Sequence, residues 1–138
     1  MPIVRIAPVC NGKIYVAPRM ASDGESLRLD LPIEESGEHI STKSEKTVRK
    51  IKEKYQAHIR TDASPRFCVQ YKSKPHHGRT AYLYVLPLRQ EDEILFHEGK
   101  FVSAEDIANH PDAYSRNLHE ESELLDMAAE LWKDFHTS

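Results

Sequence analysis

The sequence predicts an α/β fold in which a mixed β-sheet lies between helical layers, and three observations carry that expectation. Short β-rich runs occupy the first third of the chain and recur between residues 66 and 88. Helical spacing of apolar residues appears once between these groups and twice after them. The resulting order of strands, helix, strands and two helices puts helices on both sides of one sheet. A chain of 138 residues fits one domain, since domains run to roughly 100–200 residues, so 1–138 reads as a single unit. Apolar residues make up 39% and charged residues 30%, a globular balance that excludes wholesale disorder. No stretch approaches the roughly 20 apolar residues of a membrane span, and the start, Met1-Pro2-Ile3-Val4-Arg5-Ile6, lacks the pattern of a signal peptide. Cys10 and Cys68 have no Cys-x-x-Cys spacing, so reduced, packed thiols in a cytoplasmic protein are expected.

Residues 3–9 and 13–19 are β-rich and flank Asn11-Gly12, a pair suited to the two positive φ angles of a type I′ hairpin. Leu27-Arg28-Leu29-Asp30-Leu31 alternates with period two and reads as a short strand, followed by a charged loop from Glu34 to His39. Thr42 with Glu45 forms a capping box, with Ser41 or Ser44 as other starts, and Val48, Ile51 and Tyr55 make one apolar stripe of a helix that frays between Gln56 and Ile59. Asp62 to Pro65 is a turn; 66–71 and 80–88 are the two strongest strands, joined by an exposed polar connection at 73–79. Ile94-Leu95-Phe96 and Lys100-Phe101-Val102 are short strand candidates. Ser103 caps a short helix that stops before Pro111, and a last helix runs from about Ser115 to Phe135 with Leu118, Ser122, Leu125, Ala128 or Ala129, Trp132 and Phe135 at helical spacing.

The net charge of −3 hides an asymmetry. Residues 1–90 hold 16 Lys and Arg against 9 Asp and Glu, a balance of +7, while residues 91–138 hold 3 against 13, a balance of −10. An acidic last helix facing the basic first helix, within one protomer or across a dimer, accounts for this; a basic surface for an anionic ligand is the other account.

The first helix carries a family likeness. Residues 46–57, Lys-Thr-Val-Arg-Lys-Ile-Lys-Glu-Lys-Tyr-Gln-Ala, resemble the helical half of the Nudix signature, Gly-x5-Glu-x7-Arg-Glu-(apolar)-x-Glu-Glu-x-Gly-(apolar). The hairpin and Leu29-Asp30-Leu31-Pro32 before it, and the run Glu98 to Ile107 after it, resemble the surroundings of that signature in the family. The resemblance implies an α/β/α sandwich and, in family members, a magnesium site that hydrolyses nucleoside diphosphates linked to another group. Arg49 matches the signature arginine, Ile51 its apolar neighbour and Glu53 the first carboxylate of the Glu-Glu pair. Lys50 and Lys54 stand where the family has glutamates, Gln56 replaces glycine, Ser41 occupies the earlier glutamate position and Glu35 the glycine position.

These departures bear on the chemistry. Positions 46, 50 and 54 lie along one helix face, and hard cations demand oxygen ligands. Lys46, Lys50 and Lys54 offer ammonium groups there instead, which repel a metal but suit a phosphate. The ligand-binding candidates are therefore Lys46, Arg49, Lys50 and Lys54, with Tyr82 and Tyr84, which share one sheet face and which Tyr71 would join, as stacking groups. A relocated cation site would draw on Glu34, Glu35, Glu38 and Glu53; the catalytic candidates are Glu53, Glu38 and Glu120. His76-His77 are adjacent on a turn and do not point to one centre.

The expected function is metal-independent binding of a nucleotide-like or phosphate-bearing ligand, or of a protein partner, with no cofactor. An active Nudix hydrolase with a non-standard magnesium site is the alternative, and a dimeric interaction protein the third reading. Neither a membrane nor a nucleic acid is an expected partner.

Overall fold

A computed structural model describes residues 2–20, 24, 26–36 and 45–136. Strand β1 (Ile3–Cys10) is buried along its whole length, as expected of a run without alternation that is covered on both faces. It runs parallel to β6 (Arg79–Pro87), from Ile3 opposite Ala81 to Val9 opposite Pro87. On its other side it meets two strands. Its first half pairs antiparallel with β4 (Ile33–Ser36), and its end turns through Asn11 (φ 52°) and Gly12 (φ 76°) into β2 (Lys13–Met20). These positive angles are those the Asn-Gly pair predicts. Strand β2 carries β3 (Leu27–Asp30) and β7 (Lys100–Val102), and β5 (Arg66–Ser73) closes the other edge against β6. The main order is β3-β2-β1-β6-β5, a mixed sheet.

Helices cover both faces. Helix α1 (Glu45–Lys54) lies on one side, where Val48 and Ile51 pack with Val4, Ile6, Ile33, Tyr84 and Leu86. On the other side α2 (Ala104–Asn109), α3 (Arg116–Glu120) and α4 (Ser122–His136) bring Ile107, Leu118, Leu125 and Ala128 onto Ala7, Val9, Leu83 and Val85. Side chains in a strand alternate between faces, so Val4 and Ile6 serve one layer while Ala7 and Val9 serve the other. The basic and acidic helices thus lie on opposite faces of the sheet, and within one protomer they do not face each other.

Several expectations are corrected. The charged loop at 34–39 begins as strand β4, because Ile33 fills the α1 layer and pairing with β1 satisfies the backbone; Glu38 lies outside the described residues, as do Ser41, Thr42 and Ser44 of the predicted cap. Helix α1 ends at Lys54 and continues as a 3-10 turn at Gln56–His58 rather than fraying. Ile94 makes only an isolated bridge to Ile59, so 94–96 is not a strand. The connection after β5 is a 3-10 turn whose preceding residue, Ser73, is buried. The long last helix breaks at Glu121 into α3 and α4, and Ser115 caps the first piece by accepting from Leu118 N at 3.0 Å. Tyr71 sits on the α4 face, opposite the one Tyr82 and Tyr84 share, because it registers with Ala81. Trp132 packs as expected and donates from Nε1 to Leu88 O at 2.7 Å; the Phe135 side chain lies outside the described residues. Cys10 and Cys68 are free thiols. Among the described residues no helix is long and apolar enough to cross a membrane.

One close approach fixes the segment before β7. A Cβ on Gly99 would lie 1.9 Å from the Tyr15 hydroxyl. Tyr15 cannot swing away freely: its hydroxyl accepts from Phe96 N at 2.9 Å and donates to Phe96 O at 3.2 Å, and its ring meets Phe101 edge-on. Gly99→Ala should therefore lower stability by about 1–3 kcal/mol through forced side-chain and backbone shifts. Urea titration should show a lower midpoint at unchanged slope; an unchanged midpoint would contradict this packing.

Candidate functional site

The most unusual group in the sheet is Arg5, a fully buried guanidinium in the central strand. Burying a charge costs several kcal/mol unless partners compensate, and here three carboxylates do. Nη2 donates to Asp30 at the end of β3 at 2.6 Å, Nη1 to Glu34 of β4 at 2.5 Å, and Nε to Glu121 between α3 and α4 at 3.0 Å. Arg19 of β2 approaches the same group from outside, 3.4 Å from Glu34 and 3.8 Å from Asp30.

The three carboxylates around the guanidinium are not buried alike. Glu121 is the most buried of them, and burial lifts its carboxyl above the usual carboxylate range against the pull of Arg5. Its Oε1 lies 2.7 Å from Arg5 Nη2 without hydrogen-bond geometry. Tyr71 donates its hydroxyl to the other oxygen, and burial, then the Glu121 charge, hold that phenol protonated.

Beside this network opens a cavity of about 430 Å³, walled by Arg19, Met20, Arg28, Asp30, Glu34, Pro75, His76, Ser115, Arg116 and Asn117. Arg28 is braced by donating from Nη1 to Pro111 O and Asp112 O, each at 3.2 Å. A directed chain of contacts sets the polarity of the wall. Asn117 Nδ2 donates to Glu34 at 3.5 Å, so its Oδ1 faces Ser73, whose hydroxyl donates to it at 3.5 Å. The Ser73 hydroxyl also lies 2.8 Å from His76 Nδ1. Burial holds His76 below the ordinary imidazole range, in keeping with a neutral ring.

The lysine stripe lies on the other sheet face. Lys46 and Lys50 are exposed, while Lys54 pairs with Glu35 of β4 at 2.5 Å. Tyr55 donates to the same carboxylate at 2.9 Å, and burial with that bond pushes its phenol up to about 12. Glu34 and Glu35 are neighbours in a strand and point to opposite faces, one to Arg5 and one to Lys54, so they do not converge on one cation. Glu53 is exposed on α1, Glu120 is exposed on α3, and Glu38 lies outside the described residues. Among the described residues no group of three or more His, Cys, Asp or Glu is disposed to hold a metal. The donor set of this helix does not fit the magnesium that the signature implies: ammonium groups occupy its positions, and the strand carboxylate opposite is already paired. Arg49 lies on a different flank of α1 from the stripe, among Lys52, Glu53 and Gln56. Tyr84 is buried and Tyr82 half-buried in the α1 layer, so they pack the core rather than offer an open stacking face.

Sequence reasoning missed Arg5, Asp30, Glu121, Arg19, Arg28, His76 and Asn117. One signal was available. An arginine inside an otherwise apolar run of a central strand has to find buried carboxylates, whose positions only the fold reveals.

With this geometry in hand, the chain can be compared with known proteins. It is similar to DR0079 from Deinococcus radiodurans, with a TM-score of 0.57 at 14% identity over 88% of this chain and 80% of that one. The E. coli ORF135 protein aligns with a TM-score of 0.56 at 17% identity over 99% and 95%. A NUDIX hydrolase from Nitrosomonas europaea aligns with a TM-score of 0.50 at 14% identity over 92% and 88%. No family model matches the sequence, and no curated protein matches it. At these identities the likeness is one of fold: the chain has a Nudix-like α/β/α sandwich.

The Arg5 network gives two expected outcomes. Arg5→Met should cost about 3–5 kcal/mol, because it leaves carboxylates buried without their cation. The raised carboxyl of Glu121 means that the folded state holds its proton more tightly than the unfolded chain. Its contribution is therefore present below the ordinary carboxylate range and is lost as pH rises through the raised value. Urea midpoints measured from pH 4 to 8 should fall more steeply for the wild type than for Glu121→Gln; parallel curves would show that Glu121 is ionised throughout.

Proposed function

We propose that this Nudix-fold chain is a metal-independent binder of a nucleotide-like, phosphate-bearing small molecule, seated in the cavity beside Arg5. The observation that carries this reading is the composition of that cavity: Arg19, Arg28 and Arg116 at its walls, with the Asn117 amide, the His76 imidazole and the Asp30 and Glu34 carboxylates deeper in. Guanidinium groups offer forked donors that match phosphate oxygens. Carboxylate and imidazole acceptors suit the exocyclic amines and ring N–H groups of a nucleobase-like head. At about 430 Å³ the cavity falls in the range of small-molecule sites. The charge reversal on α1 supports a role without metal. Lys50 is exposed and Lys54 is engaged with Glu35, so the helix offers cations where a magnesium enzyme of this fold class needs carboxylates.

A thermal-shift screen with nucleotides, nucleoside diphosphate sugars and dinucleoside polyphosphates, each with magnesium and with a chelator, tests the proposal. A ligand present at 100 times its Kd adds about 2.7 kcal/mol to the folded state. The stabilisation should survive the chelator and should fall at least tenfold in apparent affinity in Arg116→Gln, an exposed cavity residue. Stabilisation that appears only with magnesium would overturn the metal-free reading in favour of a hydrolase. The converse variant tests the helix itself. Lys50→Glu with Lys54→Glu removes only an exposed ion pair, worth little to stability, and brings a carboxylate beside Glu35. Calorimetry should detect magnesium binding by this double variant and none by the wild type; a double variant without affinity would contradict the role given to this helix face.

A further inference from the structure

On the other flank of α1 the sequence places Arg49, Lys52, Glu53 and Gln56, at spacings of three, four and seven that share one side of a helix. They face the segment 60–66, and three adjoining hollows of about 370, 490 and 220 Å³ open there. Ser64 lines all three, so they adjoin along one groove-like surface. Its cations are Arg49, Lys52, Arg60, Arg66 and Arg89, against the acids Glu53, Asp62 and Glu93, a balance of +2. The Glu93 carboxylate accepts from the amides of Arg89 and Gln90 at 2.6 and 2.7 Å. Among the described residues Arg49, Arg60 and Arg89 enter no ion pair. Cations in excess of the acids around them raise the local potential, which an anion relieves.

The groove is also pre-shaped. Arg60 N donates to Glu93 O at 2.7 Å, Ala63 N to the Thr61 hydroxyl at 3.1 Å, and the Lys52 ammonium to Ala63 O at 2.6 Å. The wall is thus fastened both to α1 and to the segment after β6 before any ligand arrives. No aromatic side chain lines it among the described residues, so it lacks the stacking platform on which single-stranded nucleic acids rest.

We propose that this groove is a second binding site, separate from the cavity beside Arg5, and that it takes a linear chain of phosphate groups held by charge and guanidinium forks. Three adjoining hollows that share Ser64, rather than one, favour several linked phosphates over a single one. Nothing in this assignment depends on the nucleotide reading of the cavity.

Calorimetry of the full chain with inorganic tripolyphosphate, inorganic phosphate and a short single-stranded oligonucleotide tests it. Tripolyphosphate should bind at least tenfold more tightly than phosphate, and its affinity should fall as salt is raised. The double variant Arg60→Gln, Arg89→Gln replaces exposed side chains and should keep the wild-type melting temperature while losing at least tenfold in tripolyphosphate affinity. Arg116→Gln, which alters the other cavity, should bind tripolyphosphate as the wild type does. Equal affinity of wild type and double variant, loss of binding in Arg116→Gln instead, or tighter binding of the oligonucleotide than of tripolyphosphate would each overturn the proposal.

Discussion

A guanidinium that water cannot reach is the constraint around which this structure is arranged. Arg5 sits in the middle of the sheet, where a charge without partners would cost several kcal/mol, and its partners come from separate parts of the chain. Asp30 reaches it from β3, Glu34 from β4 and Glu121 from the junction of α3 and α4. Each feature makes sense as a consequence of that demand. The segment after β3 returns to pair with β1, which delivers Glu34. The C-terminal helical run is interrupted where Glu121 enters the network. The cation thereby ties both ends of the chain to the central strand and aligns the wall of the cavity alongside.

The same network gives the cavity its chemical direction. Glu34 is held by Arg5 and Arg19 and accepts from Asn117. An amide and a hydroxyl link this carboxylate to His76. The two contacts to Asn117 are long, and the 2.8 Å contact between Ser73 and His76 is the firm one. His76 thus stands beside Arg19, Arg28 and Arg116 in the cavity wall.

The architecture was largely legible in the sequence. Asn11-Gly12, the period-two run at 27–31, the stripe of Val48, Ile51 and Tyr55, and the Ser103 cap each encode local geometry through short-range rules, and the hairpin, strand β3 over 27–30, helix α1 and helix α2 follow from them. The cavity was not legible, for a physical reason. Arg5, Asp30, Glu34 and Glu121 are separated by up to 116 residues, and only the pairing of β1 with β4 and the seating of α4 bring them together. Local charge patterning pointed instead to the lysine stripe and to an acidic loop at 34–38. That reading treated Glu34 and Glu35 as a pair, whereas strand geometry sends them to opposite faces. His76 was set aside as part of an exposed turn, because nothing local reports that Ser73 is buried beneath it.

The lysines of α1 show how a fold can keep a scaffold while altering what it can hold. The helix is seated by Val48 and Ile51, residues that contribute nothing to ligand chemistry, so its outward positions are free to change charge without moving it. Lys54 and Glu35 show the local result: an ammonium lies directly on the strand carboxylate, and Tyr55 completes that carboxylate's bonding. A carboxylate satisfied in this way has little attraction left for a divalent ion, and Lys50 adds a positive field beside it. Electrostatic selection on this helix therefore favours anions on both flanks, through the lysine stripe on one and through Arg49 and Lys52 on the other. Packing sets where the helix lies, and its surface charge sets what it can attract; in this chain the two are encoded by different residues.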